Sequence, residues 1–197
     1  MTDDKTLKVY ANKVADYVKV TQNSASRDPL LHAFLAALPA QGHVLDLGCG
    51  PGHIAAEMAA VGHRVTATDA VAEMVAVANA HSGVEATVAT FDEIAGTDIY
   101  DGIWANFSLL HAPRADMPRH LKALHQAIKP GGRFHIALKS GESSQRDTLG
   151  RLYTYYSDAE LTELVEHAGF TVTDRAAGAD TGLDGQVAEW IALVAHG

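Results

Sequence analysis

A glycine run and the acids around it are the residues of this chain whose types and spacing could do chemistry. Gly48, Gly50 and Gly52 alternate in Val44-Leu45-Asp46-Leu47-Gly48-Cys49-Gly50-Pro51-Gly52, with Asp46 two residues ahead of the first glycine. Glycines so spaced let the backbone turn tightly and let a ligand approach the main chain. Asp69 follows Gly50 by nineteen residues, close to the ~20 at which a carboxylate reaches ribose hydroxyls in nucleotide sites. The dinucleotide spacing G-x-G-x-x-G is absent, because position 53 is His. A carboxylate at 46 would also repel a pyrophosphate, the group such loops otherwise attract through N–H groups and the helix dipole. The ligand these residues suit carries a ribose and positive charge.

Holding them requires a strand, a turn and a helix N-terminus. Val44, Leu45 and Leu47 read as a parallel strand covered on both faces. After Gly52, Ile54, Met58 and Val61 recur at helical spacing up to Gly62. S-adenosylmethionine (SAM) has a ribose, a sulfonium, an ammonium and no phosphate. Here the chain resembles the class I, Rossmann-like SAM-dependent methyltransferases of small bacterial type, whose first motif is matched by Asp46-Leu47-Gly48-Cys49-Gly50-Pro51-Gly52. The resemblance implies a single doubly wound α/β domain over residues 1–197. Its sheet would be seven-stranded and mostly parallel, with the last strand antiparallel. It also implies cofactor contacts from Asp46, Gly48, Cys49, Gly50 and Gly52.

The remaining elements carry the other candidates. Leu7, Tyr10, Val14 and Tyr17 predict an amphipathic helix over residues 5–19, within an N-terminal helical cap at 1–42. Tyr10 reads as a packing residue or, by resemblance, as an aromatic touching the methionine end of the cofactor. Asp28-Pro29 opens a helix with Leu31, Phe34, Leu35 and Leu38 inward. A second strand over 64–69 ends at Asp69, and the next helix turns Val71, Met74, Val75 and Ala78 to one side. Met74 suits an adenine ring or the core equally, and Ala70 adjoins the ribose position. A third strand over 85–89 leads to Phe91 and Asp92, which by resemblance supply apolar contact and an acceptor for the adenine amino group.

The fourth strand, 100–106, ends in Asn106-Phe107, both assigned to the cofactor side by resemblance. Family members that methylate base amines or protein glutamine often carry Asn/Asp-Pro-Pro-Tyr/Phe here. This chain keeps only Asn106, which points to a small-molecule acceptor. His111 follows, and an unperturbed imidazole accepts a proton near neutral pH, so it is the candidate base. A helix over 115–128 buries Met117, Leu121, Leu124 and Ile128, with Arg114, Arg119, Lys122 and Lys129 on a solvated side. Lys129-Pro130-Gly131-Gly132 ends it before a fifth strand over 133–138.

Residues 139–156 form a polar stretch with Arg146, Arg151, Tyr153, Tyr155 and Tyr156. It reads either as a connecting loop or as a substrate lid, with those five residues touching an anionic or hydroxylated acceptor. Ser157-Asp158-Ala159-Glu160 is a capping box, and 170–175 and 187–195 read as a closing hairpin.

Composition sets the outer bounds. At 197 residues with 47% hydrophobic and 20% charged positions, the chain is an ordinary globular sequence. A net charge of −9 argues against nucleic-acid and anionic-membrane partners. One cysteine, Cys49, excludes an internal disulfide and suits a cytoplasmic location, and the eleven histidines show no metal-ligand spacing. The expected activity is methyl transfer from SAM to an oxygen or nitrogen of a small molecule, leaving S-adenosylhomocysteine. Two competitors are a non-catalytic SAM-binding regulatory module and an NAD(P)-dependent reductase. Oligomeric state is not legible.

Overall fold

The computed structural model describes residues 3–22 and 25–197. Its frame is a seven-stranded sheet: β1 (His43–Leu47), β2 (Arg64–Asp69), β3 (Ala86–Val88), β4 (Tyr100–Asn106), β5 (Ile128–Lys139), β8 (Thr171–Thr181) and β9 (Val187–His196). Their spatial order is β3-β2-β1-β4-β5-β9-β8. Strands β1 to β5 pair in parallel, and β9 runs antiparallel to both β5 and β8. This is the expected mostly parallel sheet with an antiparallel final strand. The order reverses between β1 and β4, which is where an open α/β sheet leaves a crevice at its carboxyl edge.

Two cores form because strand side chains alternate between faces. Leu45, Leu47, Ile103, Phe134, Ile136 and Leu138 pack on one side with Leu121 and Leu124 of α6 (Met117–Ala127) and Leu161 and Val165 of α7 (Asp158–His167). Val44 and Trp104 take the other side, with Phe34 of α3 (Pro29–Ala36), Met58 of α4 (His53–Ala60) and Val75 of α5 (Ala72–Ala78). Asp28 caps α3 by accepting the Leu30 and Leu31 N–H groups at 2.9 and 3.2 Å, and Ser157 caps α7 by accepting Glu160 N–H. Among the described residues, no helix is long and apolar enough to cross a membrane.

Five expectations change. The helix over 5–19 is broken at Lys13 into α1 (Asp4–Asn12) and α2 (Val14–Thr21). Leu7, Tyr10 and Tyr17 roof a cleft instead of joining a core. Val61 lies just past the end of α4 and is 56% exposed, so the α4 stripe is shorter than its spacing suggested. Ile128 begins β5, which continues through Pro130 and Gly131 as one strand. Residues 139–156 are no structureless loop: β6 (Ser144–Arg146) and β7 (Leu152–Thr154) pair antiparallel, with Tyr153, Thr154 and Tyr156 buried.

Candidate functional site

The glycine turn is built around one carbonyl and one carboxylate. The Gly48 and Cys49 N–H groups donate to the Thr68 carbonyl at 2.8 and 2.9 Å, which ties the turn to β2. Gly48, Gly50 and Gly52 all lie in the left-handed region, with φ of 75, 53 and 81°. Beyond strain, a side chain at 52 would meet Ala78 at 2.7 Å. Asp69 closes the arrangement by accepting Gly50 N–H on Oδ2 at 2.9 Å and Val71 N–H on Oδ1 at 2.8 Å. Each oxygen keeps a lone pair for a ligand hydroxyl. Burial raises the Asp69 pKa against these N–H donors.

Asp46 is 3% exposed and its Oδ2 has no partner among the described residues. Burial first, and the neighbouring Asp69 carboxylate second, push its pKa up to about 7. A buried carboxylate oxygen left without a partner is costly, and the Ala55 backbone offsets only part of that cost. A cationic ligand would remove that cost.

Two cavities meet over this turn. The first, of about 650 Å³ with its mouth, is lined by Gly48, Gly50, Asp69, Ala70, Val71, Met74, Ala89, Phe91, Ser108 and His111, under Thr6, Leu7, Tyr10 and Tyr17. The second, of about 1600 Å³ with its mouth, runs from Asp46, Cys49, Trp104 and Asn106 to Lys139, Arg151, Tyr153 and the β8–β9 turn. They share a rim of Tyr10, Tyr17, Gly48, Gly50 and Phe107. Phe107 holds φ of 53°, with its N–H donating to Ala137 O at 2.9 Å. A bulky residue in that region signals a local constraint. Here the turn brings the ring to the rim and edge-on to Trp190, at 6.3 Å.

Several sequence candidates stand elsewhere. Gly52 lines neither cavity and serves helix packing. Asp92 is outside both; its carboxylate accepts from Arg119 at 2.6 Å, which also takes Arg119 off the merely solvated face. Arg146 grips Asp3 through both Nη atoms, at 2.9 and 2.8 Å, and so pins the hairpin to the start of α1. Tyr155 and Tyr156 also line neither cavity, and Tyr156 lies beneath the Arg114 guanidinium. Only Arg151 and Tyr153 of the five lid candidates reach the second cavity.

His111 differs most from its sequence reading. A carbonyl can only accept, so the 2.7 Å contact with Leu152 O puts the proton on Nδ1. Nε2 then accepts from Tyr10 OH at 2.9 Å. Burial lowers the pKa to about 4, leaving the ring neutral with both nitrogens engaged. It holds Tyr10 in place and is not poised to take a proton. His135 behaves similarly: burial lowers it to about 3, it donates to Asn106 Oδ1 at 3.0 Å, and it stacks on Trp104 at 3.6 Å. That bond leaves the Asn106 amide N–H groups available.

Sequence reasoning missed Ser108 in the first cavity and Trp104, Lys139 and Trp190 in the second. Register explains the latter group. Asp46 pairs with Trp104, Trp104 with His135, and Lys139 with Trp190, so all project from one face near the carboxyl edge. That pairing is not readable from one strand at a time.

Comparison with known proteins agrees with this architecture. Residues 21–175 match the profile of a family described as a methyltransferase domain. A ubiquinone/menaquinone biosynthesis C-methyltransferase of Rubrivivax gelatinosus is 39% identical over 103 residues, 51% of this chain and 40% of that protein. A ubiquinone biosynthesis O-methyltransferase of Xanthomonas axonopodis pv. citri is 33% identical over 159 residues, covering 69% of this chain and 65% of that one. The chain therefore spans less than two thirds of either relative's length. The Burkholderia thailandensis 1,6-didemethyltoxoflavin-N1-methyltransferase, solved with 1,6-didemethyltoxoflavin and S-adenosylhomocysteine, superposes with a TM-score of 0.79 at 25% identity. That match covers 98% of this chain and 87% of the other.

Proposed function

The chain belongs to the methyltransferase-domain family, and from that premise we propose that it moves a methyl group from SAM to an oxygen or nitrogen of a small molecule. The observation that carries this reading is the pair of cavities sharing one rim, a layout that lets a cofactor and an acceptor meet. A module that only senses SAM has no use for the second cavity.

In this reading Asp69 holds the ribose hydroxyls, while Ala70, Met74 and Phe91 flank the adenine. Asp46 takes the cofactor's positive end, and Tyr10 and Tyr17 close the roof. Bound there, SAM supplies an electrophilic methyl. The chain's own work is to position the acceptor, align it with the rim and exclude water. An acidic chain with one buried thiol suits a small acceptor and a reducing cytoplasm better than nucleic acid or a membrane surface. Arg151 and Tyr153 take the substrate-facing role earlier shared among five lid residues, and the 139–156 hairpin acts as a wall.

A thermal-shift series with SAM, S-adenosylhomocysteine, NAD and NADP tests the proposal. Ligand at a hundred times its dissociation constant adds about 2.7 kcal/mol. A shift with NADP and none with SAM would overturn it.

Asp69→Ala should weaken SAM binding by roughly 1.5–3 kcal/mol, the value of hydrogen bonds to a charged acceptor. Asp92→Ala, already neutralised by Arg119 outside the cavity, should change it less. Calorimetry on both variants decides the order, and a larger loss at Asp92 would reverse these roles.

Affinity should also depend on pH. Asp46, with its pKa near 7, and Asp69, also raised, gain protons as pH falls. SAM then loses its anionic partners, so affinity should decline below about pH 7, by at most roughly tenfold per unit for each proton taken up. Asp46→Asn should flatten the profile. An equally steep profile in that variant would assign the titration elsewhere.

A further inference from the structure

The second cavity has opposite charges at its two ends. Asp46 sits at the cofactor end, and Lys139 and Arg151 line the hairpin end. Arg151 is neutralised by Asp147, with Nη2 and Nε 2.7 and 2.8 Å from Oδ2. Lys139 is different. It is half-buried, its Nζ lies 4.1 Å from the centre of the Tyr153 ring, and it has no hydrogen bond or ion pair among the described residues.

Apart from Asp46 at the far end, the acids bordering the cavity are otherwise occupied. Asp28 caps α3, and Asp180 accepts the Trp190 indole N–H at 2.7 Å. Asp184, in the β8–β9 turn, accepts Gln186 N–H and influences Lys139 only at longer range. Partial burial first, and the Arg151 charge to a lesser degree, disfavour the ammonium, while the more distant Asp184 and Asp147 charges offset part of this. A half-desolvated cation facing a cavity, with no carboxylate in direct contact among the described residues, is stabilised by an anion arriving there.

The walls beside it are aromatic. Trp190 is the register partner of Lys139 and rests on Gly178, where a side chain would meet the indole at 2.5 Å. Phe107 stands edge-on to Trp190 from the rim, Tyr153 lies beneath the ammonium, and Trp104 contributes an indole N–H without a partner among the described residues. Such walls take a flat ring system and leave one place for its charge.

We propose that the methyl acceptor is a planar aromatic molecule carrying an anionic oxygen, and that Lys139 pairs with that oxygen and sets acceptor specificity. This rests on the reading of the second cavity as the acceptor site. Asp46 would repel such an anion, so the acceptor is oriented with its charge at the hairpin and its other edge at the rim.

The test uses matched probes on protein saturated with S-adenosylhomocysteine: 4-hydroxybenzoate against 4-hydroxybenzamide, and 2-naphthoate against 2-naphthamide. Wild-type protein should bind at least one acid about tenfold or more tightly than its amide, the ratio expected for a charge-assisted bond. Lys139→Met should lose that preference while keeping its S-adenosylhomocysteine affinity, and Lys139→Arg should retain part of it. Failure of both acids to bind, equal binding of acid and amide, or a preference surviving in Lys139→Met would each overturn the assignment. Absence of S-adenosylhomocysteine binding would instead overturn the cofactor reading. The same acid–amide pairs on ligand-free protein would then still decide the role of Lys139.

Discussion

Replacing Arg151 with leucine is expected to lower the unfolding free energy by about 3–5 kcal/mol, the cost of orphaning one half of a buried ion pair. The side chains of Arg151 and Asp147 are only 2% and 5% exposed. Their pairing is reinforced from the backbone, since Asp147 Oδ1 also accepts the Arg151 and Leu149 N–H groups at 2.8 and 3.1 Å. On its other side the guanidinium donates to Tyr10 OH at 3.1 Å and lies over the Tyr10 and Tyr153 rings. The substitution therefore strands a carboxylate and loosens the roof of the first cavity together. At roughly 2–4 °C per kcal/mol for a chain of this size, the melting temperature should fall by roughly 6–20 °C. Arg151→Leu combined with Asp147→Leu should be less destabilised than Arg151→Leu alone, because the stranded charge is removed as well. Denaturant titration of the three proteins measures this. A loss below about 1 kcal/mol in Arg151→Leu would show that the pair is effectively solvated.

Arg151 also shows where sequence reading stops. Asp69 could be found from spacing, because a strand, a turn and a helix of ordinary length return the chain to the adjacent strand end. The glycine turn was legible for the same reason: its residue types have few other uses. Nothing local separates Arg146 from Arg151. Pairing decides it, with Arg146 opposite Leu152 and reaching outward to Asp3, while Arg151 enters the space behind Tyr10. The partners that remove His111 and Asp92 from their expected roles are distant in sequence: Tyr10 lies 101 residues from His111, and Arg119 27 from Asp92. The Asp92 motif was local, but its outcome depended on a side chain arriving from α6. The break at Lys13 was hidden for a related reason. An apolar stripe that roofs a ligand cleft has the same period as one that faces a core.

Gly48→Ala should be the most damaging single methyl in the turn. At φ of 75° an L side chain costs about 1–2 kcal/mol. The added Cβ would also lie 2.4 Å from Ser108 Cβ, a separation the structure cannot accept without moving a strand end. Overpacking of this kind adds about 1–3 kcal/mol, giving roughly 2–5 in all. Neither neighbour can yield cheaply. Gly48 N–H is fixed on Thr68 O at 2.8 Å, and Ser108 adjoins Phe107, itself held on Ala137 O. Displacement of this turn would also shift Gly50 away from Asp69, so SAM affinity should fall along with stability. The two contributions separate in a double mutant. Ser108 Oγ is buried and has no partner among the described residues, so Ser108→Gly removes the obstructing Cβ without breaking a hydrogen bond. Gly48→Ala/Ser108→Gly should recover the steric share and keep the φ penalty, a coupling of about 1–3 kcal/mol. Strictly additive losses in the cycle would mean that the close approach of these two residues does not constrain the turn. In that case backbone strain alone would explain why glycine stands at position 48.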